Sequence, residues 1–225
     1  MKIKSKLFLI NIVIATMFFT GCSIISGGEV TIGNQVWMTE NLNVDKFRNG
    51  DAIPQAKTAE EWEKAGKEKQ PAWCYYNNDN TLSSWVAPEK GKKYGKLYNW
   101  YAVTDSRGLA PVGWHVPSDT EWKMVINFLG GEELAGPKMK SKEGWDKGYN
   151  GTNESGFSAL PSGYCMRIGT FVYFNDGYYW SSTEYSEKNA LGQGDAWYCF
   201  IHLGGRVWLS SDYKESGMSV RCLKD

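Results

Sequence analysis

Residues 117–131 set the start, the buried face and the end of one helix, and so dictate what has to surround it. In Pro117-Ser118-Asp119-Thr120-Glu121 the Ser118 hydroxyl can accept from the Glu121 amide while the Glu121 carboxylate reaches back to the amide of Ser118, the reciprocal pattern that opens a helix. Trp122, Val125, Ile126 and Leu129 then recur at i, i+3, i+4 and i+7, and Gly130-Gly131 supplies a left-handed stop. A stripe this apolar has to be packed on another element, and the C-terminal third supplies a sheet. Tyr178 to Thr183 reads as a strand, and Trp197, Cys199, Ile201 and Leu203 share one face of the next. A two-residue turn at Gly204-Gly205 sends Arg206 to Ser210 back beside it, with Cys199 across from Ser210. A last strand runs from Gly217 to Leu223, where Met218, Val220 and Cys222 alternate with Ser219, Arg221 and Leu223. The class is α+β, with an antiparallel meander.

Earlier segments add a hairpin and further helices. Val30-Thr31-Ile32 and Gln35-Val36-Trp37 flank Gly33-Asn34, a two-residue hairpin turn. Thr58 with Glu61 caps a polar helix from Glu60 to Lys67, anchored by Trp62 alone and read as a surface insertion. Residues 96–103 are apolar on nearly every side, which predicts a buried helix. From Gly136 to Gly177 no period survives, which predicts a long irregular loop region.

The first 22 residues are a separate matter. Lys2, Lys4 and Lys6 precede an apolar run from Leu7 to Phe19, followed by Thr20-Gly21-Cys22. That is the layout of a secretory signal, too short to span a bilayer well. The cysteine at the cut site predicts a bacterial lipoprotein: signal peptide 1–21, Cys22 acylated, residues 22–28 a short tether, and 29–225 one domain. Two or more acyl chains anchor a soluble domain stably. No acid follows Cys22 directly, which favours an outer membrane without deciding its face. The 25 basic and 25 acidic side chains balance, and removing the leader takes three lysines and no acid. The folded part is thus slightly acidic, which argues against nucleic acid as a partner. Roughly 200 residues suit one large domain that buries about 70% of its unfolded surface.

All 11 tryptophans and 13 tyrosines follow the leader, interspersed with Gly and Asn. Flat rings stack on sugar faces while amides and carboxylates bond hydroxyls, so carbohydrate binding fits this composition, as does an aromatic core. Trp145, Tyr149, Asn150, Asn153, Asn175, Asp176, Tyr178 and Tyr179, on and beside the irregular loop, are the candidate ligand surface. Asp146, Asn150, Asn153 and Glu154 crowd hard oxygen donors onto the same loop and are a candidate calcium site, or else turn residues bonding their own backbone. No other cofactor is expected. His115 and His202 come without a placed carboxylate or nucleophile, so the chain is expected not to be an enzyme. Cys74, Cys165, Cys199 and Cys222 make an even count that permits two disulfides in an oxidising envelope, or leaves thiols free in a domain large enough to do without. The register above disfavours Cys199 with Cys222, which leaves two pairings, and of these Cys74–Cys222 with Cys165–Cys199 is the one expected.

Several segments carry a resemblance: Gly33-Asn34-Gln35-Val36-Trp37-Met38-Thr39-Glu40-Asn41-Leu42, Tyr98-Asn99-Trp100-Tyr101, Pro111-Val112-Gly113-Trp114-His115-Val116-Pro117, Asn150-Gly151-Thr152-Asn153-Glu154-Ser155-Gly156-Phe157, Trp180-Ser181-Ser182-Thr183-Glu184 and Ser219-Val220-Arg221-Cys222. In this order they resemble the Fibrobacter succinogenes major paralogous domain. The resemblance implies a C-type-lectin-like fold, a twisted antiparallel sheet with two flanking helices and a long loop excursion, distantly similar to the formylglycine-generating enzymes. It also implies an envelope protein, often lipid-anchored. Neither the Glu-Pro-Asn or Gln-Pro-Asp loop nor the Trp-Asn-Asp strand of calcium-dependent lectins occurs; Phe174-Asn175-Asp176 comes nearest. The expected function is an outer-membrane lipoprotein, periplasmic or surface-facing, that binds a glycan or another envelope protein. A structural envelope or appendage component is the alternative, and a formylglycine-generating-type oxidoreductase using Cys165 and Cys199 the last.

Overall fold

The computed structural model describes residues 28–76, 93–172, 175–188 and 194–225; the expected signal peptide, Cys22 and most of the expected tether lie outside them. Among the described residues, four helices and antiparallel sheets give the α+β class. Strands β1 (Glu29–Ile32) and β2 (Gln35–Met38) form the expected hairpin, with Ile32 opposite Gln35 and Gly33 taking the positive φ (+64°) that so tight a turn needs. Helix α1 (Ala59–Lys67) starts where Thr58 accepts from the Glu61 amide, and Trp62 anchors it.

The apolar stretch 96–103 divides instead of forming one helix. Strand β3 (Trp73–Cys74) pairs with β4 (Leu97–Tyr98), and only Trp100–Val103 is helical, as α2. The divider is Asn99, whose side-chain oxygen accepts from both Ala72 and Ala102 amides and so caps the helix while holding the strand. Strand β5 (Trp114–His115) leads to α3 (Asp119–Phe128), where both bonds of the Ser118–Glu121 box are made and Gly130 (φ +108°) ends the helix. The expected irregular loop opens with a fourth helix, α4 (Glu132–Met139). Gly136 and Pro137 are both poor helix formers and hid it, but the backbone of Gly136 packs on Gly205 more closely than any side chain would permit.

Beyond the short ladder β6 (Tyr164–Cys165) with β7 (Phe171–Val172), the chain builds a three-stranded antiparallel sheet. Its order is β10 (Val207–Tyr213), β9 (Gly194–Ile201), β8 (Gly177–Lys188). The β9–β10 connection spans residues 202–206 rather than two glycines, closed by the His202 amide on the Arg206 carbonyl. Cys199 therefore faces Leu209, not Ser210, and Trp208 faces Phe200. A one-residue change of register moves a side chain to the other face of a sheet, and here it carries Trp208 to the side of Tyr178, Trp180, Tyr198 and Phe200, which belongs to the first of two large cores. The opposite side packs Tyr179, Cys199, Ile201 and Val207 against Trp122, Val125, Ala135 and Met139 of α3 and α4. Trp37, Trp122, Phe157 and Tyr179 form the centre of that second core, with Trp37 and Trp122 4.8 Å apart; such pairs add about 0.5–1.5 kcal/mol each beyond burial.

Residues 217–223 do not extend the meander. They run between the two cores, with only Leu223–Lys224 forming a strand, β11, between β2 and β5. Met218, Val220 and Cys222 enter the first core and Leu223 the second, while Ser219 and Arg221 are also fully buried. The backbone zips to a different segment at nearly every step: Gly217 with Cys165, Met218 with Tyr98, Ser219 with Tyr178 and Trp180, Val220 with Leu42, Cys222 with Met38.

Arg221 is the unexpected member. Its Nε and Nη2 donate to Asn41 Oδ1 (3.2 and 2.7 Å), and its Nη1 donates to the carbonyls of Met38 (3.0 Å) and Phe157. The guanidinium lies 4.5 Å from the centre of the Phe157 ring. Burial pulls its pKa down, yet the planar fork suits a site lined by carbonyl oxygens.

Candidate functional site

The irregular region proves to be built around Lys140 and Trp145. The Trp145 indole donates to Ser141 Oγ (3.1 Å) and to the Ala159 carbonyl (3.0 Å), which makes the ring a buried strut of the second core instead of a ligand platform. The Lys140 ammonium sits 4.2 Å from the Trp145 ring centre and donates to the Leu203 carbonyl at 2.6 Å. Burial lowers its pKa to about 8, with nearby Asp176 working the other way. Lys140 escaped sequence reasoning because a lysine in a loop reads as solvated.

Of the other residues expected to form the ligand surface, Tyr178 and Tyr179 are buried on opposite sides of β8, Tyr178 in the first core and Tyr179 in the second. The Tyr179 hydroxyl closes a two-way bond with the Leu160 backbone. Asp176 accepts from the Leu203 amide (2.7 Å) and steadies the β9–β10 turn. Tyr149 and Asn150 are exposed, and Asn153 and Asn175 half-buried. The expected surface thus does not assemble: Trp145, Tyr178 and Tyr179 are core.

The candidate calcium donors serve mainly as turn residues. Asn150 Oδ1 accepts from the Trp145 amide, Asn153 (φ +54°) exchanges two bonds with Ser158, and Asp146 accepts from Asn175 at 2.7 Å. Glu154 is exposed. Among the described residues no group of three or more His, Cys, Asp and Glu side chains stands ready to hold a metal ion.

The residues that do converge lie on the first-core side of the three-stranded sheet. Tyr178 and Tyr198 stack at 5.8 Å, Tyr164 leans on Tyr178 at 5.3 Å, and Trp208 meets Phe200 edge-on at 4.5 Å. Tyr164, Tyr198 and Trp208 are half-buried and packed against the first core. Polar groups border them: Tyr164 Oη bonds Ser216 Oγ at 3.1 Å, and Asp212 and Ser210 stand on the same face of β10 as Trp208. Burial raises the Asp212 pKa, partly offset by bonds from the Tyr164 hydroxyl and the Tyr213 amide. This ledge of rings edged by hydroxyls and a carboxyl went unforeseen because it depends on the β9–β10 register.

Neither expected disulfide forms. All four cysteines are buried thiols: Cys199 lies in the second core, Cys222 in the first, and Cys74 and Cys165 share a third with Trp62 and Leu97.

His115 braces the corner between β5 and α3. Its Nδ1 is 2.8 Å from Asp225 Oδ1 and its Nε2 3.0 Å from Glu121 Oε1. Burial disfavours the charged ring, but the two carboxylates together outweigh it and hold the His115 pKa above its ordinary value. Burial of Glu121 is likewise outweighed, by Ser118 and His115, and its pKa lies below the usual range. A raised histidine contributes stability that is complete below its unfolded pKa of about 6.5 and lost as pH rises through the folded one; the lowered glutamate contributes above about 4.3 and is lost on acidification. The cluster is therefore at full strength between about pH 5 and 6.5. The urea midpoint should fall by the equivalent of about 0.5 kcal/mol from pH 6 to 8, modest because solvent screens a pair this exposed. In His115→Gln that fall should vanish, and an unchanged profile would refute the assignment.

The family model of the Fibrobacter succinogenes major domain matches residues 30–224. No curated protein and no solved structure matches the chain.

Proposed function

We propose, for a chain that belongs to the Fibrobacter succinogenes major domain family, the role of a lipid-anchored envelope protein whose domain binds a glycan without converting it. The observation that carries this reading is the row of half-buried Tyr164, Tyr198 and Trp208 rings packed against the first core, with Ser210 and Asp212 on the same face of β10 as Trp208. Ring faces shed water readily onto the apolar face of a sugar, and flanking hydroxyls and carboxyls give the direction that selects one sugar from another. Support for the anchor is the lysine-led apolar leader ending at Cys22. The C-type-lectin-like architecture belongs to the same proposal; helices α3 and α4 on one side of a three-stranded antiparallel sheet agree with it.

A second reading, a structural envelope component, is favoured by Phe128 and Leu134, 64% and 59% exposed, with Met124 one turn before Phe128 on α3. The full chain, extracted in detergent, should be presented to a polysaccharide array and any hit titrated by tryptophan fluorescence. Trp208→Ala is expected to weaken binding at least tenfold, about 1.4 kcal/mol, and, through the lost contact with Phe200, to lower stability by about 1–2 kcal/mol while the chain stays folded. Binding unaffected by Trp208→Ala would remove the ledge from consideration. Silence across the array with concentration-dependent self-association would favour the second reading.

A further inference from the structure

We infer that Cys74 and Cys165 are the disulfide-forming pair of this chain, tying β3 to β6, while Cys199 and Cys222 remain thiols. The two are far apart in sequence, yet the Tyr76 ring, two residues beyond Cys74, meets the ring of Phe171 at 5.2 Å, and Phe171 is the β7 residue paired with Cys165. Both belong to the small third core, 1% and 0% exposed, beneath Trp62 of α1. The backbone holds them there from two directions. Cys74 is paired with Leu97 on β4, and Cys165 exchanges two backbone bonds with Gly217, from 2.9 and 2.7 Å. A Cβ on Gly217 would sit 2.9 Å from the Cβ of Cys165 and 2.8 Å from the Trp62 ring, so the third core is closed tightly over this cysteine.

The other two cysteines lack such a neighbour in the ladder. Cys199 sits on β9 between Tyr179 and Leu209 on the helix side of the sheet, and Cys222 lies in the first core next to Arg221. Two-way pairing of all four would need Cys199 to cross from one core to the other.

Formation of the bond breaks two S–H bonds, makes one S–S bond and releases two protons and two electrons. A disulfide oxidant takes the electrons: one thiolate attacks it to give a mixed disulfide, the second cysteine displaces the departing thiol, and the oxidant leaves as a dithiol. Burial raises the Cys74 pKa, so the folded Cys74 thiol is a poor nucleophile. The bond is thus made while the chain folds and β3 and β6 are still open, and afterwards it is shielded from soluble reductants.

Only the presence of an oxidant in the cell rests on the envelope location proposed above; the choice of pair rests on the packing. The full chain should be unfolded, reduced, and refolded in a mixture of reduced and oxidised glutathione, then alkylated in denaturant and mapped without reduction. The expected result is one peptide pair, joined through Cys74 and Cys165 and two hydrogens lighter than the separate peptides, with Cys199 and Cys222 alkylated. Cys199→Ala should leave that pair intact, Cys74→Ala should leave Cys165 alkylatable, and the bridged chain should unfold at higher urea than the reduced one. Four alkylated cysteines after refolding, or a bridge to any other partner, would overturn the inference. A bridge that forms in the tube but is missing from chain alkylated at the moment of cell lysis would leave the pairing standing and sink the envelope location.

Discussion

Arg221→Met is expected to lower stability by about 3–5 kcal/mol, enough to leave much of the chain unfolded at ordinary temperatures. The side chain is wholly inaccessible, and its donors end on Asn41 Oδ1 and on the carbonyls of Met38 and Phe157. Methionine fills most of the volume but offers no donor, so these oxygens would be left in a dry interior, each at about 1–3 kcal/mol. Asn41 suffers twice, because its amide group is already directed at the Tyr94 carbonyl and Ser219 Oγ and cannot turn round without losing both. Lysine is not a remedy: one ammonium on a flexible stem cannot span acceptors that a planar fork reaches together. Arg221→Lys should therefore lose most of what Arg221→Met loses. Urea unfolding followed by tryptophan fluorescence measures both; a change below about 1 kcal/mol in either would mean that the acceptors find water or another donor.

Gly136→Ala should have the next largest effect and the opposite sign from the one helix propensity assigns. On an exposed helix the change stabilises by about 1 kcal/mol. In α4 the new Cβ would lie 1.9 Å from the carbonyl oxygen of Gly205 and 2.6 Å from its carbon. Backbone cannot swing aside as a side-chain tip can, so α4 and the β9–β10 turn must separate, and with them Ala135 and Met139, both now completely buried. Lys140 on Leu203 and Arg206 on Glu133, at 2.6 and 2.7 Å, resist that separation and add to the strain. The expected loss is at least about 3 kcal/mol, the upper end for overpacking. A gain in stability would mean that the hairpin rides freely on the helix.

Whatever the chain sets by local chemistry was legible in the sequence. The Ser118–Glu121 box, the Gly130 stop, the Gly33 turn and the Thr58 cap each involve residues within a few positions of one another, and each is found as expected. Alternation in 217–223 was visible too, but its meaning was not. Period two separates a wet face from a dry one only where one face is wet, and here both are covered. The ledge was lost for a related reason. Glycines at 204 and 205 invite a two-residue turn, whereas the bond between His202 and Arg206 closes a longer one, and that single step decides which side of the sheet Trp208 occupies. Asn99 hid the end of a strand within an apolar run, since its two caps connect to positions 72 and 102, only one of them nearby. Trp145 was mistaken for surface because a tryptophan among Gly, Asn and Asp looks exposed; burial came from Lys140, Ser141 and Ala159, none of which advertises a core.

The seam through the middle of the molecule also orders events in time. Residues 217–223 bond to positions 38, 42, 98, 165, 178 and 180, every one of which is synthesised earlier. Until the seam arrives, the first core lacks Met218, Val220 and Cys222, and the carbonyls that await Arg221 have no donor. A growing chain can therefore form the hairpin and the capped helices, and can bring Trp37, Trp122, Phe157 and Tyr179 together, but its first core stays open until the seam fills it. The final assembly is a single late event dominated by long-range contacts, of the kind that makes folding slow. Until about residue 223 has emerged, the first core and the Arg221 site remain unfilled, and the domain awaits its zip.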